Sequence, residues 1–412
     1  MEWKTIEFQN LYAESSRNGL YKSKEFHGTV IRIVNMKELF AFPLIGEQEM
    51  QLLDVTDTEL NKFGLQTGDL LFARRSLVEE GSGKCVLVVE HKKSPIVFES
   101  SIIRVRLNKN HCLPLFYYYY FRSPTGRLGI QSIITGAGQK GIRGSELAKV
   151  IVYHPPVTEQ KAIAQSLSDV DALITECDRI ITKKRNTKQG TMQELLTGKK
   201  RLPGFSGEWE VKKFDNLTKL ITCGLAATPK YVREEIGKPF LSAQNVRNGK
   251  VVYDNYRFIS YELFDQITKY SKPQKGDLLY TRVGAGIGEA GVIEDNFEFG
   301  IYVSLTLIRT DKNQLHNYFL LHLLNSPTYK SIAKNGQFAG GGVQNLNVQI
   351  VKEFSISLPP LPEQKAIAQI LSDMDTEIAA LEQKRDKYKA IKQGMMQELL
   401  TGKTRLVDSD RI

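Results

Sequence analysis

The sequence has little of what most protein chemistry requires. Its 412 residues include four cysteines (Cys85, Cys112, Cys177 and Cys223), far apart and with no Cys-x-x-Cys pair. That argues against a disulfide scaffold or a cysteine zinc site and fits a reducing cytosol. The six histidines form no His-Glu-x-x-His pair, the arrangement that holds zinc on one helix face. There is no Gly-x-Ser-x-Gly elbow and no phosphate loop ending in Gly-Lys-Ser/Thr. The two Pro-Pro pairs follow His154 and Leu358, not the Asn or Asp of the amino-methyltransferase motif. No apolar run reaches about 18 residues, so no membrane-spanning helix is expected. "MEWKTIEFQN" carries two acids and no apolar stretch, unlike a secretory signal. The expectation is therefore a cytoplasmic protein with no catalytic constellation, metal or cofactor of its own.

What is present is bulk, charge and repetition. The chain suits two to four domains, and 41% hydrophobic with 25% charged residues is ordinary for a globular protein. A net charge of +10 and a pI near 9.2 favour a polyanionic partner through phosphate neutralisation.

Aligned without a gap, residues 154–202 and 358–406 share 28 of 49 positions. The identities form two blocks: Pro-Pro through "EQKAIAQ" to Leu-Ser-Asp, then "QELLTGK" with a following Arg-Leu. Weaker echoes precede each copy, in the same order. "EWKTIEFQNL" is answered by "EWEVKKFDNL", "IRIVNM" by "LSAQNV", "GDLLFAR" by "GDLLYTR" and "RSPT" by "NSPT". The chain thus reads as a first variable domain (1–154), a helical region (155–202), a second variable domain (203–358), a second helical region (359–406) and a tail (407–412).

Each Pro-Pro turn blocks a helix upstream of it, and Glu159 or Glu363 falls in the first turn, where the macrodipole favours acid. Ile163, Leu167, Val170, Ile174, Cys177 and Ile181 follow a 4-3 spacing, as do Ile367, Leu371, Met374, Ile378 and Leu381. That is a heptad seam. It weakens at Lys184 and Arg385, returns at Met192/Leu195 and Met396/Leu399, and reaches Gly198 and Gly402, where C-caps are expected. Each rod is roughly 60 Å long. It can pack on its own domain or pair with its copy, and antiparallel pairing is the favoured reading.

The variable domains mix strand-like runs ("VIRIV", "GDLLFAR", "CVLVVE", "SIIRVRL"; "GDLLYTR", "AGVIE", "VSLTLIRT") with helices at "LPLFYYYYFRSP" and "HNYFLLHLLNSP". "GIGEAG" matches Gly-x-Gly-x-x-Gly, but a β-rich stretch follows it in place of a helix, so a turn or bulge is favoured over a dinucleotide site. Tyr117–Tyr120 invite base stacking, yet their counterpart is aliphatic and favours core packing. The Glu-x-Lys of "TEQKA" and "PEQKA" fits helix capping better than half of a nuclease site. Candidate DNA contacts lie in glycine-rich loops just before each Pro-Pro turn: Gln139, Lys140 and Arg143, and Gln344, Asn345 and Asn347. Arg74 and Arg282 end the "GDLL" strands, and "AQNVRNGK" offers Gln244, Asn245 and Arg247. Amide and cationic heads read base edges or hold phosphates, although each also suits an ordinary turn or solvated surface.

Two divergent domains, each followed by "PPxxEQKAIAQxLSDxD" and "KQGxMQELLTGKxRL", resemble the specificity subunit of type I restriction–modification systems. The resemblance covers essentially the whole chain and rests most on Pro155, Pro156, Glu159, Gln160 and Lys161, with Pro359, Pro360, Glu363, Gln364 and Lys365, and on the "QELLTGK" ends. It implies an α+β fold: two globular target-recognition domains separated by two long helices in an antiparallel coiled coil, related by a pseudo-twofold. It also implies that each domain reads half of a split double-stranded DNA target and that the helices dock two modification (methyltransferase) subunits. Motor-nuclease restriction subunits would join for cleavage, and the chain itself would be non-catalytic. The alternative is a coiled-coil scaffold whose variable domains bind protein.

Overall fold

The computed structural model describes residues 3–21, 27–136, 140–335, 337–338 and 345–406. Two compact units result, one of Met1–Asp178 with Gln383–Ile412, the other of Arg179–Glu382. Each therefore combines one variable domain with a stretch of both long helices, Val157–Leu195 and Leu361–Leu399. These divisions fall inside the helices, whereas the expected segmentation cuts at their ends. Helix residues are built into the domain cores, which is why contacts group them so.

In the first unit a five-stranded sheet runs Tyr12–Asn18, Ile102–Leu107, Leu70–Ala73, Cys85–Val88, Leu44–Ile45. All neighbours are antiparallel except the last pair. Leu70–Ala73 is buried along its whole length, as a continuous apolar run requires when both sheet faces are covered. A three-stranded sheet (Gln51–Leu53, His27–Val34, Ile96–Phe98) lies in the same unit. The helix Pro114–Arg122 buries Tyr117 through Tyr120 among Phe8, Phe72 and Phe116, so the tyrosine run is core. Ile163, Ala164, Leu167, Leu399 and Leu400 complete that core.

The second unit repeats the plan. Its six-stranded sheet runs Thr218–Cys223, Leu305–Thr310, Leu278–Thr281, Ala290–Val292, Lys250–Val251, Val246–Arg247. Gly237–Leu241 occupies the place of His27–Val34: each pairs in parallel with one short strand and antiparallel with another. The final Ala-Gly of "GIGEAG" opens the strand Ala290–Val292, so no helix begins there. Met192, Leu195, Leu196, Ile367, Ala368 and Leu371 enter this unit's core.

One lock recurs in both sheets. The carboxylate of Asp277 accepts from Arg309 Nε (2.9 Å) and Nη2 (2.7 Å) and caps the Gln274 amide (2.9 Å). Asp69 does the same with Arg106 (2.7 and 2.8 Å) and Gln66 (2.8 Å). The glycine before each aspartate has positive φ, +96° at Gly68 and +92° at Gly276, which explains the Gly-Asp pairs.

The helices form an antiparallel coiled coil. In the first unit Asp171 meets Lys392 (2.6 Å) and Asp178 meets Arg385 (3.3 Å). In the second, Lys184 meets Glu377 (2.7 Å), Lys188 meets Asp375 (2.5 Å), and Arg185 meets Glu382. Partner numbers fall as helix numbers rise, so the segments oppose each other. Ile163, Leu167, Cys177, Ile181, Ile367, Leu371 and Ile378 are buried, while Val170, Ile174, Met374 and Leu381 are half-buried. Where the apolar seam weakens, Lys188, Arg385 and Lys392 bury their stems and send their charges to the acids opposite. Lys188→Asp should therefore destabilise the second unit, by about 1 kcal/mol for a half-exposed like-charge pair. Adding Asp375→Lys should restore most of that; chemical unfolding of the single and double variants checks it.

The duplicated Glu-Gln pair is wholly buried. Gln160 accepts from the Leu113 amide (2.8 Å) and donates to Pro155 O (2.8 Å). Gln364 accepts from the His316 amide (2.8 Å) and donates to Pro359 O and Gln314 O. The glutamates differ from the capping expectation in their partners: Glu159 takes Arg405 and Trp3 Nε1, and Glu363 takes both arms of Arg201 at 2.7 Å. A guanidinium fork meets both oxygens of a buried carboxylate and also balances its charge. Gly198 (φ +70°) and Gly402 (φ +74°) close the helices as expected, with Trp209 and Trp3 packed against them.

Candidate nucleic-acid interface

Backbone pairing gathers most of the candidate residues into one patch per unit. In the first unit Arg75–Ser76 pairs antiparallel with Lys140–Gly141, and Ile142 N donates to Arg74 O (2.9 Å). In the second, Val283 bridges Asn345 and Leu346 N donates to Arg282 O (2.8 Å). Ile142 and Leu346 are buried anchors. Around them Arg143 and Asn347 occupy matching positions, each at the N-cap of a short helix and each exposed. Strand alternation explains the pattern: the buried residue faces the core and its neighbours face solvent.

The glycine-loop strand thus joins the end of the "GDLL" strand, which no sequence spacing revealed. "AQNVRNGK" reaches the same place in the second unit, since Ala243 N donates to Ser304 Oγ (2.9 Å) while Arg282 N donates to Ser304 O (2.9 Å). Gln139 and Gln344 lie outside the described residues.

The candidates differ in what their side chains have left to offer. Asn245 is wholly buried and donates to Val252 O (3.0 Å) and Asp254 O (2.7 Å), while accepting from Ser242 N. Arg282 is buried and donates to Leu346 O (2.8 Å) and Val303 O (3.0 Å). These two hold loops in place. Arg247 is exposed and paired with Asp254; Gln244 is exposed with its amide on Asn255 O. Asn347 is exposed, and its Oδ1 accepts from Gln349 N (2.9 Å). Arg143, Asn345 and the half-buried Arg74 and Lys140 complete the set.

Arg75, exposed beside Arg74, escaped the sequence reading. Its signal was available in the doubled arginine that ends the "GDLLFARR" run.

Burial pushes the Cys85 thiol up, and that of Cys112 up to about 12, away from a reactive thiolate. Among the described residues no three His, Cys, Asp or Glu side chains gather to hold a metal, and no helix is long and apolar enough to cross a membrane.

Comparison with known proteins places the chain in a family. The model of the type I restriction modification DNA specificity domain matches residues 41–185 and 206–391, and the chain belongs to that family. It is 26% identical over 218 residues to the EcoKI specificity subunit of Escherichia coli K12, covering 52% of this chain and 45% of that one. To the MjaVIII specificity subunit of Methanocaldococcus jannaschii it is 25% identical over 331 residues, 75% of each. A match at 30% identity to the MjaX protein of the same archaeon covers 47% of this chain and 46% of that one, so the chain spans about half the length of two of these curated relatives. The fold is shared with the type I system S subunit of M. genitalium, at TM-score 0.61 and 14% identity over 97% of this chain and 96% of that one. A second solved type I assembly gives TM-score 0.57 at 17% identity over 98% of both chains.

Proposed function

We propose that this chain is the specificity subunit of a type I restriction–modification complex. Each variable domain reads one half of a bipartite double-stranded DNA target. The paired helices set the spacing and dock two modification subunits, and motor-nuclease subunits join them. Methylation and cleavage belong to those partners, and the chain itself is non-catalytic. One observation carries the reading: the same loop-and-strand patch, built from amide and cationic side chains, recurs at matching places in two domains joined by a duplicated coiled coil. The names of the relatives support the same conclusion. A cytoplasmic location, with DNA as the partner, is part of the same reading.

The test is selection of duplexes from a randomised pool by the full chain assembled with its modification subunits. Two short motifs separated by a degenerate spacer are expected, and replacing residues 1–150 with those of another family member should change only the first motif. A single continuous motif, or none, would sink the reading. If six phosphates are neutralised, affinity should fall about a thousandfold between 50 and 200 mM salt. Binding that barely responds to salt would favour a protein-binding scaffold instead.

A further inference from the structure

The patches of the two units are alike in backbone and unlike in one respect. After Arg75 and Ser76 the first unit presents Leu77 and Val78, 87% and 59% exposed. After Arg282 the second continues Val283-Gly284-Ala285-Gly286, with nothing comparable. Two large aliphatics in succession on open surface are costly to solvate, and these two are held there firmly. Ser76 is buried and its Oγ accepts from Val78 N (3.2 Å); Gly81 N donates to Val78 O (3.2 Å). Arg127 grips the far side through Ser82 O (3.0 Å) and Glu80 O (3.2 Å). Gly81 packs so close to Ser76 and Phe40 that an added Cβ would lie 2.3 Å from Ser76 Oγ and 3.1 Å from Phe40 Cζ.

The surroundings indicate the occupant. Arg75 is exposed on the short strand Arg75–Ser76 and Leu77 on the bend that follows it, with Ser76 buried between them. Across the ladder, Lys140 lies opposite Ser76 and Gly141, without a side chain, opposite Arg75. Arg74 and Arg143 lie next along the same backbone. Among the described acids, exposed Glu80 follows in the loop, where Arg127 interacts with its charge. Rigid apolar tips rimmed by cations match duplex DNA: the cations suit phosphates, and the tip suits the apolar faces of a base step.

We propose that Leu77 and Val78 form a wedge that enters between two base pairs of the first half-site and partly unstacks them, a device the second half-site lacks. This rests on the DNA-reading function above. The first half-site would then include a step chosen for how readily it opens, as pyrimidine–purine steps do.

The test uses the full chain in its complex and the duplex obtained by selection, with a fluorescent base analogue placed at each step in turn. Wild type should brighten the analogue at one step of the first half-site and at none of the second. Leu77→Ser/Val78→Ser should bind the same duplex with an unchanged salt slope and lose the brightening; Leu77→Ala alone should reduce it. Both positions are exposed, so each variant should melt with wild type, which a thermal scan checks. No bright step in wild type, or the same bright step in the double variant, overturns the proposal. So does a double variant that keeps the bright step but no longer joins the modification subunits, since the tip would then be a protein contact. If no duplex is selected at all, the underlying function fails first, and visibly, before any analogue is placed.

Discussion

Asp277→Ala should lower the stability of the second unit by about 3 kcal/mol, a loss large enough to unfold a marginal domain. The aspartate is buried, and both its oxygens bind the guanidinium of Arg309 in the strand Leu305–Thr310, between two neighbouring strands. Alanine would leave that charge without its acid and the Gln274 amide without its acceptor. Arg309 retains some contact with water, which places the cost at the lower end of the range for a broken buried pair. Asp277→Asn, which keeps an acceptor for Gln274, should fall between wild type and alanine. Asp69→Ala should cost less, because Arg106 keeps a second carboxylate, that of Glu14, at 2.7 Å. Guanidinium unfolding followed by probes in each unit measures both; an Asp277→Ala unfolding free energy within 1 kcal/mol of wild type would refute the lock.

The architecture was legible because its signals are local or duplicated. A seam repeating every 3.5 residues marks a helix wherever it is read, and a doubled segment marks a doubled fold. Continuous runs such as Leu70–Ala73 announce buried strands. The patch was only half legible. Gly141 and Asn345 follow glycine-rich loops that any reader would notice, but their pairing with Arg75 and Val283 joins residues more than 60 positions apart. No spacing rule encodes that. Burial then divides residues the sequence treats alike: Asn245 and Asn347 are both asparagines in polar loops, yet one is wholly inside, with its amide on backbone carbonyls, and the other is outside. Conversely, nothing in its residue type marks Leu77 as exposed, yet it stands outward on the bend after Arg75–Ser76.

The second large effect concerns acid. Behind the seam of the second unit, His322 is buried, with Nε2 at 3.1 Å from Ser372 Oγ and Nδ1 at 3.9 Å from the Asp375 carboxylate. Burial pushes its pKa down from 6.5 to about 4, and the Lys188 ammonium adds to the shift against the pull of Asp375. Well above pH 6.5, by about pH 7.5, the ring is almost wholly neutral whether the chain is folded or not, so it has little effect on stability there. Below 6.5 the unfolded chain takes up a proton that the folded unit refuses until about pH 4, and stability falls throughout that window. At one pKa unit per 1.36 kcal/mol the full loss is about 3 kcal/mol, and about 2 kcal/mol by pH 5. The first unit holds Tyr119 at the matching place, its hydroxyl on Asp171 (2.9 Å), with Lys392 over the ring. His322→Tyr should therefore flatten the pH dependence of the second unit while leaving the first untouched. Urea midpoints at pH 7.5 and 5.0 for wild type and variant decide the matter. Carboxylates common to both proteins cancel in the difference, and two parallel curves would show that His322 carries no such coupling.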